Sequence, residues 1–232
     1  MKIYFVRHGD PDYKHDSLTE LGHKQAQAAA ERLKNCGIER IYSSTNGRAL
    51  LTAEYTAKLL GLDVIRCDFM REIGWKSVDG EPSPENGNPW RLSSAFVAEG
   101  RSLDDKNWTA AEPFCRSIVV DTVRHAYEGF DAVLAEYGYR REGDYYRVTG
   151  EDTDRTIAVF SHGGSSSAVL SHLLNIPFPQ FCGMFRMGCS SVITVSLANR
   201  IGELCQASLG LFNDMKHTEG LADEVKEYKY ER

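Results

Sequence analysis

Two histidines, His8 and His162, each follow a short apolar, β-rich run, residues 3–6 and 156–160. In an open α/β sheet, ligands bind outside the C-terminal ends of the parallel strands, so two imidazoles at two such exits matter more together than either alone. A single histidine there is as often a satisfied structural residue. The neighbours change that weighing. Gly9 follows His8, and Gly163-Gly164-Ser165 follows His162, and glycines let backbone N–H groups approach an anion at a helix start. Arg7 comes directly after the first apolar run, and Arg48 opens the second predicted helix after Ser43-Ser44-Thr45-Asn46-Gly47. Guanidinium forks match phosphate oxygens bidentately, so these groups together describe a phosphate site.

Such a site needs a scaffold. Residues 3–6 predict a buried strand, and Pro11 blocks an immediate helix. Ser17-Leu18-Thr19-Glu20 has the S-x-x-E form of a capping box, and Leu18, Leu21, Ala26, Ala29 and Leu33 continue a helical stripe until Cys36-Gly37. Residues 38–43 predict a second strand. A helix through Leu50, Ala53, Ala57 and Leu60 then ends at Gly61, and residues 62–66 predict a third strand. Strands separated by helices at this spacing pair in parallel through crossovers, giving a sheet covered on both faces.

From about residue 75 to 155 the alternation breaks, and the segment collects Trp75, Trp90 and Trp108. It reads as a cap insertion within one domain spanning residues 1–232. Its second half, from Cys115 to Tyr137, keeps the spacing of an amphipathic helix able to pack on the sheet, and residues 139–148 read as a hairpin around Glu142-Gly143-Asp144. The alternation then returns with residues 156–160 and a helix through Val169, Leu170, Leu173 and Leu174 that must end before Pro177. Residues 190–197 and 203–212 read as two closing strands, and the charged end after Asp214 as a surface helix or a frayed tail. The expected fold is a three-layer α/β/α sandwich with a mostly parallel sheet and a cap.

Composition narrows the partners. Over 232 residues the net charge is −6, which offers no basic stripe to a nucleic acid. No stretch approaches a membrane span. The opening Met1-Lys2-Ile3-Tyr4-Phe5-Val6-Arg7-His8 meets charge too early for a secretory signal. The six cysteines show no C-x-x-C and no zinc-ligand spacing with histidine, so reduced thiols, no metal, no cofactor and a cytoplasmic location are expected. The sequence leaves the oligomeric state open.

Arg7-His8-Gly9, then Leu18-Thr19-x-x-Gly22-x-x-Gln25-Ala26, then Ser43-Ser44-x-x-x-Arg48-Ala49-x-x-Thr52-Ala53, then Ser161-His162-Gly163-Gly164 occur in this order. The ordered set resembles the histidine phosphatase superfamily, also called phosphoglycerate mutase-like. The resemblance implies a phosphoglycerate mutase-like fold in which His8 is the nucleophile that accepts the phosphoryl group. It also implies that Arg7, Arg48 and His162 hold the phosphate oxygens. Gly163 joins them through its backbone. Glu72, in Met70-Arg71-Glu72-Ile73-Gly74-Trp75, resembles the family's proton donor, with Asp10 or Asp12 as the stand-in. The implied activity is metal-independent hydrolysis of a small phosphomonoester, with inorganic phosphate as product. The alternatives are a phosphoglycerate mutase-type phosphoryl transferase and a weakly active member that binds a phosphorylated ligand.

The chain departs from the better-known members at Asp10-Pro11-Asp12-Tyr13, where many have Ser or Thr and the mutases continue with an Asn-containing pattern. Two carboxylates beside the pocket would repel a second negative group on the substrate, predicting a preference for neutral or cationic leaving groups. Phe69, Trp75, Trp90, Phe96 and Trp108 form an aromatic cap able to close over the substrate.

Overall fold

The computed structural model describes residues 1–78, 87–150 and 153–221. In chain order the elements are β1 (Lys2–Arg7), β2 (Pro11–Asp12), β3 (Ser17–Leu18), α1 (Glu20–Leu33), β4 (Arg40–Ser44), α2 (Gly47–Leu60) and β5 (Val64–Cys67). There follow α3 (Pro89–Ala98), α4 (Val119–Glu136), β6 (Tyr139–Glu142), β7 (Tyr145–Val148), β8 (Thr156–Ser161) and α5 (Gly163–Leu174). The last are α6 (Phe178–Met184), β9 (Val192–Ser196), β10 (Leu204–Cys205) and β11 (Ser208–Leu209).

The central sheet has the order β11-β9-β1-β8-β4-β5. Strands β1, β8, β4 and β5 pair in parallel, while β9 runs antiparallel to β1 and carries β11 on its outer edge. Side chains alternate across a strand, so each buried strand feeds two cores. Ile3 and Phe5 of β1, with Ile157 and Val159 of β8, join Val123, Phe130 and Leu134 of α4 and Val169 and Leu173 of α5 on one face. Tyr4, Val6, Ala158 and Phe160 meet Leu33 of α1 and Ala53 and Ala57 of α2 on the other. The result is the expected three-layer sandwich with a mainly parallel sheet.

Several boundaries differ from the sequence reading, each for a local reason. The N-cap of α1 is Thr19, whose hydroxyl oxygen accepts from the Gly22 N–H at 3.1 Å, while Ser17 lies in the short ladder of β2 with β3. An S-x-x-E pattern locates a helix start only if the backbone before it is free, and here two residues of strand pairing hold Ser17 and Leu18. Residues 203–212 do not form one strand. β10 pairs with β7 of the hairpin, which makes a separate three-stranded sheet, and β11 pairs with β9. Helix α6 was not expected from sequence, where Pro177 marked only the end of the preceding helix; Pro177 is its N-cap and Pro179 lies in its first turn, which proline suits. Most of the tail after Asp214 lies outside the described residues.

Within residues 75–155, α4 lies directly on the central sheet. Phe96 and Trp108 each meet Phe114 with ring centroids 5.6 Å apart, and Trp108 also meets Phe178 of α6, all within the core on the α4 face of the sheet.

Candidate active site

The strand order places three exits side by side. β8 lies between β1 and β4, with Arg7 paired to Ser161 and Ser43 to Phe160. Neighbouring strands are about 5 Å apart, so His8, His162 and the segment from Ser44 to Arg48 converge at the C-terminal edge. The His8 and His162 ring centroids are 5.1 Å apart.

Two glycines of the motif set allow the chain to turn there. A Cβ on Gly9 would lie 2.5 Å from the Gly22 carbonyl oxygen, and one on Gly22 would lie 2.2 Å from that of Asp10. The β1 exit and the first turn of α1 therefore touch backbone to backbone. Gly9 N–H donates to Thr52 Oγ1 at 3.1 Å, and the Thr52 hydroxyl donates to the Arg48 carbonyl at 2.8 Å. This bridge ties the His8 turn to α2.

His8 is 1% exposed, and its Nδ1 lies 2.7 Å from the Gly9 carbonyl oxygen. A carbonyl only accepts, so Nδ1 carries the proton and Nε2 keeps its lone pair. Burial, followed by the Arg7 charge, lowers its pKa to about 3. His162 is fully buried, and its Nε2 meets Ser44 Oγ at 2.8 Å. Burial first, then the charges of His8, Arg48 and Arg7, holds it well below the ordinary imidazole value.

Both histidines are neutral in the fold and protonated more readily when unfolded. The unfolded chain thus binds more protons below about pH 6.5, and stability rises with pH across this window. The contribution is complete above pH 6.5 and is lost as the pH falls toward 3. Glu72, with a raised pKa, acts with the opposite sign, favouring the fold at low pH. The melting temperature of His8→Asn is expected to fall less than that of the wild type between about pH 7 and pH 4. Parallel melting curves across that range would contradict the assignment.

Arg7 donates through Nη1 to the Met187 carbonyl at 2.5 Å. Arg48 donates through Nη1 to Asp16 Oδ1, also at 2.5 Å, and its guanidinium stands 5.4 Å from the Tyr13 ring centroid. Asp16 Oδ2 also accepts from the Gly47 N–H at 2.8 Å and from Asn46 Nδ2 at 3.3 Å. Burial alone would raise the Asp16 pKa, but these donors, led by the Gly47 N–H, outweigh it and hold the carboxyl below its usual range. Arg48 Nε is buried with no hydrogen-bond partner among the described residues. The Ser165 N–H donates to Glu72 at 3.2 Å and also faces the His162 side chain in a capping box at the start of α5.

Glu72 is placed otherwise than the glycine-rich turn suggested. Its Oε1 accepts from the backbone N–H groups of Gly164 and Ser165, at 3.0 and 3.2 Å, and from Ile73 at 3.0 Å. Two amides expected to cradle a phosphate at the start of α5 therefore hold a side-chain carboxylate instead. Its pKa is raised by burial, with the Arg7 charge and the Ile73 N–H opposing. Asn46 Oδ1 accepts the Glu72 N–H at 3.2 Å, joining this segment to the start of α2.

A cavity of about 190 Å³ opens over this edge, lined by Arg7, Glu72, Gly163, Trp75, Trp90 and Arg186, with Tyr13, Ser167, Phe185 and Met187. His8 and His162 are buried rather than in its walls. Of the expected aromatic cap, Trp75 and Trp90 line the cavity, in an edge-to-face pair at 5.7 Å. Trp108 and Phe96 are buried around Phe114 in the core on the α4 face, and Phe69 packs on Gly129 of α4.

Asp10 and Asp12 are absent from the lining. Asp10 Oδ2 accepts from the Thr19 hydroxyl at 2.7 Å, and Asp12 Oδ2 meets His15 Nδ1 at 2.6 Å. Neither takes the place of Glu72, and the repulsion expected from them loses its basis. Asp16, Ser44, Asn46, Phe185 and Arg186 were missed by the sequence reading as site residues. No local signal existed for Asp16, whose partners Gly47 and Arg48 lie 31 and 32 residues further along the chain, nor for Phe185 and Arg186, which follow a helix far along the chain.

Fold and site define a class. The chain resembles the histidine phosphatase superfamily: the family model described as histidine phosphatase superfamily (branch 1) matches residues 3–112, the stretch that carries Arg7, His8, Arg48 and Glu72. The probable phosphoglycerate mutase GpmB of Proteus mirabilis is 40% identical over 82 residues, which is 32% of this chain and 38% of that protein. Its counterpart from Yersinia pestis is 31% identical over 118 residues, 45% of this chain and 54% of that protein. The matches thus span about half or less of the curated relatives.

Solved structures extend the likeness over the fold. The native structure of a mycobacterial glucosyl-3-phosphoglycerate phosphatase is 25% identical with a TM-score of 0.61, covering 91% of this chain and 98% of that one. Phosphoserine phosphatase from Entamoeba histolytica, in complex with 3-phosphoglyceric acid, shares the fold at 21% identity and TM-score 0.61, covering 93% and 98%. Among the described residues no helix is long and apolar enough to cross a membrane.

Proposed function

We propose that this chain hydrolyses a small phosphomonoester through a phosphohistidine on His8, without a metal. The observation that carries the reading is the pairing of a tautomer-locked imidazole with a buried guanidinium N–H that has no hydrogen-bond partner among the described residues. His8 Nε2 holds a lone pair, while Arg48 Nε is unsatisfied there. A buried polar atom without a partner costs about 1–3 kcal/mol, and a phosphate oxygen would satisfy it.

In the first step the Nε2 lone pair of His8 forms the P–N bond as the ester P–O bond breaks, and the leaving oxygen takes a proton from Glu72. In the second, water attacks phosphorus as the P–N bond breaks, its proton passes to the Glu72 carboxylate, and inorganic phosphate leaves. Glu72 Oε1 is committed to three backbone N–H groups, so Oε2 is the oxygen for proton transfer. Arg7, Arg48, His162 and the Gly163 backbone stabilise the charge spread over the phosphoryl oxygens. Trp75 and Trp90, which line the cavity, exclude water from the reacting group.

The direct test is phosphate release from phenyl phosphate in excess EDTA, followed by acid–alkali lability of the label retained from ³²P-phosphoester. Sustained release, with a label stable in alkali and lost in acid, is expected. EDTA-sensitive release would refute the mechanism. Because the curated relatives are named probable phosphoglycerate mutases, the second reading is phosphoryl transfer between two hydroxyls of one substrate. Isomerisation of phosphoglycerate without phosphate release would establish it.

Asp16 positions Arg48 rather than touching substrate. Asp16→Ala is expected to weaken phosphate binding severalfold, with KM rising more than kcat falls, and to remove about 1 kcal/mol from the start of α2. Asp16→Asn, which keeps an acceptor, should recover part of the binding loss. Unchanged KM in Asp16→Ala would show that Arg48 needs no such anchor.

A further inference from the structure

The peptide that joins His8 to Gly9 is pinned at both ends. A peptide unit is planar, so holding its carbonyl and its N–H fixes the turn between the two residues. The Gly9 N–H is held by the Thr52 hydroxyl of α2. The His8 carbonyl accepts from the Ser190 N–H at 2.9 Å. Since His8 Nδ1 donates to the next carbonyl, that of Gly9, the setting of this one peptide plane decides where that acceptor stands and so which ring nitrogen keeps its proton.

Ser190 is itself held in place. It is fully buried, and its backbone has φ +64°, a left-handed conformation that a β-carbon disfavours. Glycine would sit there without strain, but it would lack the hydroxyl. Ser190 Oγ donates to the Gln25 carbonyl of α1 at 3.1 Å and lies 3.1 Å from His217 Nε2. A serine has one hydroxyl hydrogen and a carbonyl only accepts, so His217 Nε2 carries a proton and donates to Ser190. The segment that presents His217 is anchored as well. Asn213 Oδ1 accepts the Gly188 N–H at 2.7 Å, Asp214 pairs with Val192 in an antiparallel bridge, and the Asp214 carboxylate meets Arg32 of α1 at 3.2 Å. His217 therefore reaches the turn of His8 through a single residue, from a position outside the cavity wall.

We infer that His217 is a positioning residue for the nucleophile: through the Ser190 hydroxyl it keeps the Ser190 N–H on the His8 carbonyl, and with it the imidazole in the tautomer that leaves Nε2 free. The effect on turnover rests on the phosphohistidine reading proposed above. Substrate binding is left to Arg7 and Arg48, whose side chains are anchored on Met187 and Asp16, so the bond from His217 should act on rate rather than on affinity.

The test compares His217→Ala, His217→Gln and Ser190→Gly in the full chain. Gln places an amide N–H near the position of His217 Nε2, and Gly adopts a positive φ freely while removing the hydroxyl, so both variants should fold. With phenyl phosphate, His217→Ala and Ser190→Gly are expected to lower kcat about tenfold with KM within about threefold of the wild type, since a small displacement of a reacting group costs rate steeply. His217→Gln should recover most of that loss. The ring ¹⁵N resonances of His8, assigned by their absence from His8→Ala, give a readout that needs no turnover. The wild type and His217→Gln should show a protonated Nδ1 and an unprotonated Nε2, whereas His217→Ala and Ser190→Gly should show the two averaged. Unchanged kcat or unchanged resonances in His217→Ala, a loss carried by KM, or a loss that His217→Gln does not recover overturns the inference. If the wild type releases no phosphate that depends on His8, the hydrolysis reading fails and the resonances alone decide whether His217 positions the ring.

Discussion

His8→Ala is expected to lower phosphate release by a thousandfold or more while leaving phosphate binding within severalfold of the wild type. Removing the nucleophile of a covalent mechanism costs this much because the residues act as a unit, and only binding and charge stabilisation remain. The particular environment of His8 sharpens the expectation. Its pKa is lowered to about 3 by burial and by the Arg7 charge, so the imidazole stays neutral and nucleophilic well into acid, and kcat/KM should show no decline from His8 between about pH 5 and pH 8. Arg7 and Arg48 keep their own anchors on Met187 and Asp16, which is why binding should survive the substitution. Retention of activity within tenfold of the wild type would rule out a phosphohistidine on His8.

The second large effect concerns Glu72. Glu72→Gln is expected to lower kcat on alkyl phosphates by about 10²–10⁴-fold, the usual contribution of a positioned general acid. Phosphoryl transfer from 4-nitrophenyl phosphate should suffer much less, because that leaving group departs without a proton. Gln keeps an oxygen acceptor for Gly164 and Ser165, so the start of α5 is not disturbed. The pH profile gives an independent reading: burial raises the Glu72 pKa, so wild-type alkyl ester hydrolysis should decline as pH rises through that raised value. The decline should be absent from the variant. Gly164→Ala should reproduce the same leaving-group dependence, since a Cβ there would lie 2.5 Å from Glu72 Oε1 and 2.4 Å from Ile73 Cγ1. Equal losses on alkyl and nitrophenyl esters would assign Glu72 a structural part in holding α5 and no proton transfer.

The convergence of the histidines and arginines of this site at one sheet edge was legible before any coordinates, and the reason is chemical. The residues that meet phosphoryl oxygens must be cationic or neutral donors, they must stand where strands end, and glycine must accompany them wherever backbones touch. Arg7-His8-Gly9, Arg48 and His162-Gly163-Gly164 satisfy all three conditions within short windows of sequence. The helices and parallel strands that carry them follow from apolar periodicity over similar windows, and Gly61, at φ +68°, ends α2 where its sequence position suggested. Local patterns specify local structure, and the strand-exit rule converts it into a place for chemistry.

The tertiary structure alone decided which charges face the substrate. Asp10, Asp12 and Asp16 stand within seven residues and look alike in sequence, yet Asp10 bonds to Thr19, Asp12 to His15, and Asp16 to Arg48 and the start of α2. The short β2–β3 ladder sets these directions, and pairs only two residues of each strand, too few to leave a readable pattern. Glu72 reaches the amides of Gly164 and Ser165 across 92 and 93 residues of chain, and Arg186 enters the cavity wall because the stacked rings of Phe181 and Phe185 and the Arg7–Met187 bond fix the segment after α6. Such contacts form between residues far apart in sequence once the sheet has closed, so the histidines, arginines and glycines at the strand exits could be read along the chain, whereas the charge and shape of the cavity arose only on folding.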